Sequence, residues 1–163
     1  MKSSVPQKQG LAEFLRPLKP PFLFVGIGNE FKGDDASGPS LIARLEAQHT
    51  HHYTLNCGVI PENYVQPIAA FHAASIILVD AVDMGEQPGT VGLFHSEDIE
   101  ATGVSTHGMP LSLFADVVKT ETGAAVYLLG IQPKAVTLGE PLSPEVEKAV
   151  SGLAAVIHNF HHA

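Results

Sequence analysis

Three short segments of the sequence contain acidic and imidazole side chains of the types that bind metal ions or transfer protons. The first runs from Gly26 through a glycine-rich stretch to the adjacent pair Asp34 and Asp35. The second is Asp80, which directly follows an apolar run, and the third is His107, just before a helical pattern. Carboxylates and a neutral imidazole suit borderline divalent metals. If the three segments meet in space, they form a small metal site with open coordination positions.

Apolar runs and turn residues predict the elements that must position these side chains. Residues 22–25, 75–79 and 125–129 are apolar without alternation, which is typical of parallel strands covered on both faces. Residues 53–57 form a weaker candidate strand. Residues 90–95 alternate more and follow a turn, which predicts an edge or antiparallel strand. In open α/β sheets, ligand sites lie outside the carboxyl ends of the strands, where Asp80 falls.

Helical patterns alternate with these strands. Apolar residues repeat at helical spacing after Pro39 and again after Pro110, and proline is favoured in a first helical turn. For the last helix, Ser143 is the expected cap and Pro144 the first residue. The predicted fold class is α/β, a three-layer sandwich with a twisted, mostly parallel sheet flanked by helices on both faces. Residues 1–21 are expected to form a loosely structured lead-in, with a short helix around Leu11 to Leu15 as the alternative, and residues 22–163 a single domain.

Composition excludes several classes of partner. The net charge is −8 with nine lysines and arginines, which leaves little basic surface for a phosphate backbone, so no nucleic acid is expected. No apolar run approaches the ~20 residues that span a bilayer, and no secretion signal is recognisable. The lone Cys57 allows no intrachain disulfide, which fits a reducing compartment. We therefore expect a cytoplasmic protein without a membrane partner.

Each candidate residue also has a structural interpretation. Asp35 could cap the helix that follows, Asp80 could form a turn, and His107 is one of nine histidines. The glycine loop is not a dinucleotide fingerprint, because Phe31 stands where the third glycine is required and two carboxylates would repel a pyrophosphate. Cys57 has no neighbouring histidine in the sequence and is expected to be a small buried hydrophobe.

Read together, the segments resemble the nickel–iron hydrogenase maturation endopeptidases, especially the branch that processes the large subunit of formate-hydrogenlyase-type hydrogenase. The resemblance runs from about Phe22 to Phe160. The sequence departs from the family pattern at Ala36, where the family usually has glycine, and this change removes no ligand. The matching pieces are Gly26-Ile-Gly-Asn29 with Gly33-Asp-Asp35, Gly58-Val-Ile-Pro-Glu-Asn63, Val79-Asp-Ala-Val-Asp83, Ser105-Thr-His107 with Met109-Pro-Leu111, Gly130-Ile-Gln-Pro133 and Leu142-Ser-Pro-Glu-Val146.

The resemblance implies a specific activity and site. The family's three metal-contacting and catalytic positions fall on Asp35, Asp80 and His107. Residues expected to orient these ligands or bind the peptide are Asn29, Asp34 and Gln132. The enzyme implied is a metal-dependent, aspartic-type endopeptidase that acts as a monomer. It removes the C-terminal extension of a hydrogenase large-subunit precursor after nickel insertion.

Nickel is expected to be supplied by the substrate, and zinc or cadmium can substitute in such a ligand set. Two alternatives stay open at this point. The same ligands could serve a non-catalytic nickel chaperone. A phosphorylase or hydrolase on a related α/β sandwich is also conceivable, although the only arginines, Arg16 and Arg44, lie outside the glycine loop.

Overall fold

The fold is an α/β arrangement of strands and helices that alternate along the chain. The computed structural model describes residues 10–102, 105–106 and 109–161, with the backbone alone for residues 100–102 and 105–106. The strands are β1 (Phe22–Ile27), β2 (Tyr53–Gly58), β3 (Ser75–Ala81), β4 (Val91–His95), β5 (Ser105–Thr106), β6 (Met109–Pro110) and β7 (Ala125–Ile131). The α-helices are α1 (Leu11–Leu15), α2 (Ser37–Ala47), α3 (Val65–Ala70), α4 (Leu111–Thr122) and α5 (Pro144–Asn159).

Five of the strands form the central sheet in the order β2-β1-β3-β7-β4. The pairings β2–β1, β1–β3 and β3–β7 are parallel, so these strands end at one common edge. β4 pairs antiparallel with β7 at the side of the sheet. The prediction of an antiparallel edge strand over residues 90–95 is therefore confirmed.

Hydrophobic clusters cover both faces of the sheet. Successive residues of β1 alternate between them: Phe24 belongs to the cluster with α1, α2 and α5, whereas Leu23 and Val25 belong to the cluster with α3 and α4. All six residues of β1 are buried. The unbroken apolar run in the sequence thus reflects burial on both faces, and the predicted three-layer sandwich is confirmed.

The segment before β1 differs from its prediction over residues 11–18. Helix α1 forms there, and Leu11, Phe14, Leu15 and Leu18 are buried in the same cluster as α5. The Phe14 ring meets Tyr127 of β7 edge to face, with centroids 5.7 Å apart. The alternative of a short helix over Leu11 to Leu15 is therefore correct, and the loose lead-in is wrong for this part, because its apolar side chains cover one face of the sheet.

Two histidine-rich segments of the sequence meet near the start of β1, at the edge of the sheet opposite to the carboxyl ends of the parallel strands. The rings of His51 and His161 stack with centroids 4.3 Å apart, and His51 lies 3.9 Å from His52 by the same measure. The His52 ring Nε2–H donates to the carbonyl of Phe160 at 3.0 Å. Burial first, and then the neighbouring imidazoles, lower the pKa of His51 and of His52 below 6.5.

This cluster predicts a pH-dependent stability. An unfolded histidine takes up its proton near pH 6.5, whereas His51 and His52 in the folded protein do so only at lower pH. The free energy of unfolding should therefore have its full value above about pH 6.5. It should decrease as the pH falls through that value, because the unfolded chain then binds more protons than the folded protein. Urea unfolding between pH 7.5 and 5 measures this slope. The double variant His51→Gln/His52→Gln should flatten it, and an unchanged slope would contradict the assignment.

None of the helices within the described ranges is both long and apolar enough to cross a membrane.

Candidate active site

The glycine loop after β1 folds tightly back onto Asp35. Gly28 has φ +140° and its N–H donates to the carbonyl of Gly58 at 2.9 Å. A Cβ atom at Gly28 would lie 2.0 Å from the carbonyl oxygen of Asp35. Only glycine permits this backbone conformation and this approach, so the loop requires Gly28 in order to hold Asp35 against the end of β1.

Asp35 lies in a short 3-10 turn, Gly33–Ala36, and is partly exposed. Its Oδ2 accepts a hydrogen bond from the backbone N–H of Asn29 at 2.9 Å. Helix α2 begins at Ser37 with Ala36 at its N-cap and no capping side chain. Asp35 is therefore not the N-cap of α2, and its carboxylate is bound to the glycine loop.

Asp80 occupies the carboxyl end of β3. It pairs with Gly130 of β7 and has no exposed surface. The 3-10 turn that carries Asp35 contacts β3. The start of α2 is also close, since a Cβ atom at Gly38 would lie 2.5 Å from the carbonyl oxygen of Val79. The fold thus brings the turn of Asp35 to the strand of Asp80, at the edge where α/β proteins bind ligands.

The third predicted ligand, His107, lies outside the described residues. Its flanking segments β5 and β6 pair antiparallel, with Ser105 opposite Pro110 and Thr106 opposite Met109. No group of three or more histidine, cysteine, aspartate or glutamate side chains within the described ranges could hold a metal ion. The three-ligand site therefore stays a prediction, with two of its members placed at one edge of the sheet.

Asp34 links three separate parts of the chain and is 1% exposed. Its Oδ2 accepts hydrogen bonds from the N–H groups of Lys134 and Ala135 at 2.8 and 3.2 Å. The Ser143 hydroxyl donates to Oδ2 at 2.8 Å, and the Ser143 N–H donates to Oδ1 at 2.7 Å. These bonds fasten the turn beside Asp35 to the chain after β7 and to the start of α5.

Ser143 differs in one respect from its prediction. It occupies the N-cap position of α5, with Pro144 as the first helical residue, but its side chain caps no helical N–H. Its hydroxyl donates to Asp34 instead. The predicted helix start is correct, and the expected side-chain cap is wrong: the Ser143 side chain is oriented by its bond to Asp34 and accepts no helical N–H.

Gln132 holds the loop that follows β3. Its side-chain Oε1 accepts from the N–H groups of Met84 and Glu86 at 2.6 and 3.3 Å, and its Nε2 donates to Asp83 at 3.2 Å. Hydrogen bonds from the Gly85 N–H and from Gln132 lower the pKa of the Asp83 carboxyl. Gln132 is therefore a positioning residue for the segment immediately after Asp80.

A cleft of about 340 Å³ opens beside Asp35 at the ends of β1 and β2. It contains Asn29, which the sequence singles out, and Asn56, which the sequence reasoning missed. The available signal for Asn56 was its polar side chain near the end of a candidate strand. The cleft is lined by Gly28, Asn29, Glu30, Phe31, Pro39, Asn56, Gly58 and Val59.

Two alternative chemistries, a cysteine nucleophile and an arginine that binds phosphate, have little support in the structure. Cys57 is 1% exposed, and burial raises its pKa to about 12, so its thiol is a poor nucleophile at neutral pH. The prediction that Cys57 is a buried hydrophobe is confirmed. Arg44 forms an ion pair with Glu147, so its charge is already matched.

These features define a three-layer α/β protein with an acidic site at the carboxyl edge of its sheet. The sequence profile of the HycI hydrogenase maturation proteases matches residues 39–159. The hydrogenase 3 maturation protease of Escherichia coli K12 is 33% identical over 126 residues, which are 76% of this chain and 80% of that protein. The chain belongs to the hydrogenase maturation protease family.

Solved structures agree with this assignment. The crystal structure of a [NiFe] hydrogenase maturation protease HycI from Thermococcus kodakarensis KOD1 superposes with a TM-score of 0.77 at 35% identity, covering 85% of this chain and 90% of that one. The solution structure of the endopeptidase HycI from Escherichia coli gives a TM-score of 0.75 at 27% identity, with 88% and 96% covered. The resemblance noted from the sequence motifs is thereby confirmed.

Proposed function

We propose that this protein is the endopeptidase that removes the C-terminal extension of a nickel–iron hydrogenase large-subunit precursor in the cytoplasm. Family membership supports the reaction class. The observation that carries the proposal further is the packing of the Asp35 turn against β3, whose penultimate residue is the buried Asp80, beside an open cleft. Removal of a C-terminal extension requires a site that an extended chain segment can enter. The cleft provides this access.

Asp35, Asp80 and His107 would together engage nickel that the precursor already carries. A carboxyl group without exposed surface, such as Asp80, requires a hydrogen bond, an opposite charge or a metal ion to offset its desolvation. Two carboxylates and an imidazole suit Ni²⁺ or Zn²⁺ and leave coordination positions for substrate. Nickel held by these residues would polarise the scissile carbonyl or lower the pKa of an attacking water. This makes the enzyme metal-dependent and aspartic in type.

The remaining polar residues act by holding these groups in place. Asn29 donates its backbone N–H to Asp35, and the hydrogen bonds of Asp34 hold the turn that contains Asp35. Gln132 fixes the loop after Asp80. A carboxylate must be positioned within a fraction of an ångström to ligate a metal or take a proton from water. These contacts therefore keep the proposed ligands in position. We also propose that the protein acts as a monomer.

The proposal predicts cleavage that depends on the metal content of the precursor. Purified protein is incubated with the nickel-loaded and with the nickel-free large-subunit precursor, and intact-mass spectrometry follows the products. We expect a single C-terminal fragment from the loaded precursor and none from the nickel-free one. Equal cleavage of both would contradict nickel recognition while leaving the protease intact. Nickel transfer without any cut would identify a chaperone instead.

A further inference from the structure

The cleft beside Asp35 has the chemistry of a subsite for an uncharged, extended peptide. This inference rests on the proposed function and assigns the residues that select and hold the substrate chain. The cleft adjoins the loop of Asp35, because Asn29 lines it and donates its backbone N–H to that carboxylate. A chain lying in the cleft would therefore contact the loop that holds Asp35.

Two side-chain amides in this cleft are oriented by the backbone. The Oδ1 of Asn29 accepts from the N–H of Phe31 at 2.9 Å, and the Oδ1 of Asn56 accepts from the N–H of Gly58 at 3.0 Å. Since both partners are N–H donors, the oxygen of each amide is fixed as the acceptor. Each Nδ2 is left as a donor, and neither has a hydrogen-bond partner within the described part of the chain. The cleft thus presents donors that match carbonyl oxygens.

Part of the cleft wall is apolar. The Phe31 side chain is 66% exposed and Val59 is 39% exposed, and both line the cleft with Pro39. Exposed large apolar groups grouped around polar donors are typical of binding surfaces. Among the residues that line the cleft, Glu30 is the only charged one. A phosphate or other anion would find no cation there, whereas a neutral peptide segment with an apolar side chain would fit.

The location on the sheet favours an extended chain. β2 is the outermost strand beside β1, so its far side is open. The β1–β2 register shifts after Gly26, which pairs with Asn56, so that Ile27 pairs with Gly58 and the ladder passes over Cys57. Such bulges re-aim side chains near active sites. Extended peptides commonly bind along exposed strand edges, and Asn56 lies at the end of this one.

We propose that this cleft binds the segment of the precursor that adjoins the scissile bond. Carbonyl oxygens of that segment accept hydrogen bonds from the Asn29 and Asn56 side chains, and an apolar side chain packs between Phe31 and Val59. The recognised chemistry is an extended, uncharged peptide rather than a phosphate or nucleotide.

The test compares KM and kcat for cleavage of the nickel-loaded precursor. Asn56→Ala should raise KM about fivefold, the effect of one lost hydrogen bond. Asn56→Asp keeps the acceptor for the Gly58 N–H but opposes a carbonyl, and should raise KM about tenfold or more. Phe31→Ala should raise KM about tenfold through lost apolar contact. In all three variants kcat should stay within about twofold, because no reacting group changes.

Matched controls are Asn159→Asp, at the exposed end of α5 near the opposite edge, and Leu113→Ala, 49% exposed on α4. Both should leave KM unchanged. Unchanged KM in the Asn56 and Phe31 variants, with normal cleavage by the wild type, would overturn the subsite and leave the proposed function intact. Precursor affinity of an uncleaving Asp35→Asn background gives the second readout. Loss of affinity on adding Asn56→Asp supports the subsite even if cleavage itself is never observed, and equal affinity overturns it.

Discussion

Replacing Asp80 by asparagine should reduce cleavage of the nickel-loaded precursor by at least about 100-fold. The substitution keeps the size of the side chain at a position with no exposed surface, but it removes the negative charge that would bind the metal. Loss of an outer-shell partner typically costs 10–100-fold in metal-dependent activity, so loss of a direct ligand should cost at least as much. Asp35→Asn should have an effect of the same order. Initial rates by intact-mass spectrometry measure both.

Asp116→Asn is the matched control, because it removes an exposed carboxylate from helix α4, which carries none of the proposed ligands. It should cleave at the wild-type rate. Urea unfolding of each variant separates loss of the site from loss of the fold. A folded Asp35→Asn or Asp80→Asn variant with a wild-type rate would remove that residue from the site.

Replacing Asp34 by alanine should have the largest effect on stability. The carboxylate is 1% exposed and accepts hydrogen bonds from three backbone N–H groups and one hydroxyl. A hydrogen bond to a charged group contributes about 1.5–3 kcal/mol, and Asp34→Ala removes all of these bonds, so the free energy of unfolding should fall by about 3 kcal/mol or more. That is a large part of the 5–15 kcal/mol typical of a domain. Urea unfolding at pH 7 measures it.

The chain offers a graded control for this prediction. Ser143→Ala removes only the hydroxyl donor and keeps the backbone bonds to Asp34, so it should cost about 1 kcal/mol. Asp34→Asn retains one oxygen acceptor and should fall between the two. If Asp34→Ala proved no less stable than Ser143→Ala, the carboxylate would not be what joins the Asp35 turn to α5.

Much of the fold could be predicted because it depends on local patterns. The unbroken apolar run at residues 22–25 indicates a strand buried on both faces, and alternation at residues 90–95 indicates an edge strand. Pro144 marks the start of α5 in the sequence and in the structure. The order of the motifs indicates the family from the sequence alone, since the motifs fall at the ends of elements, where loops carry ligands.

What the sequence did not predict depends on contacts between distant residues. Asp34 and Ser143 are 109 positions apart, and nothing local indicates that the hydroxyl would donate to that carboxylate instead of capping α5. Leu11 and Phe14 looked like part of a proline-rich lead-in, but they are buried by α5, whose position depends on the whole sheet. Asn56 becomes noticeable only when β2 pairs with β1 and places it beside Asn29.

The most direct test of the central claim is anomalous diffraction from crystals soaked with Zn²⁺, a substitute for nickel in this ligand set. We predict one zinc peak at about 2.0–2.2 Å from a carboxylate oxygen of Asp35, a carboxylate oxygen of Asp80 and a ring nitrogen of His107. A zinc ion bound without one of these three residues, or their side chains oriented away from one another in the zinc-soaked crystal, would contradict the account.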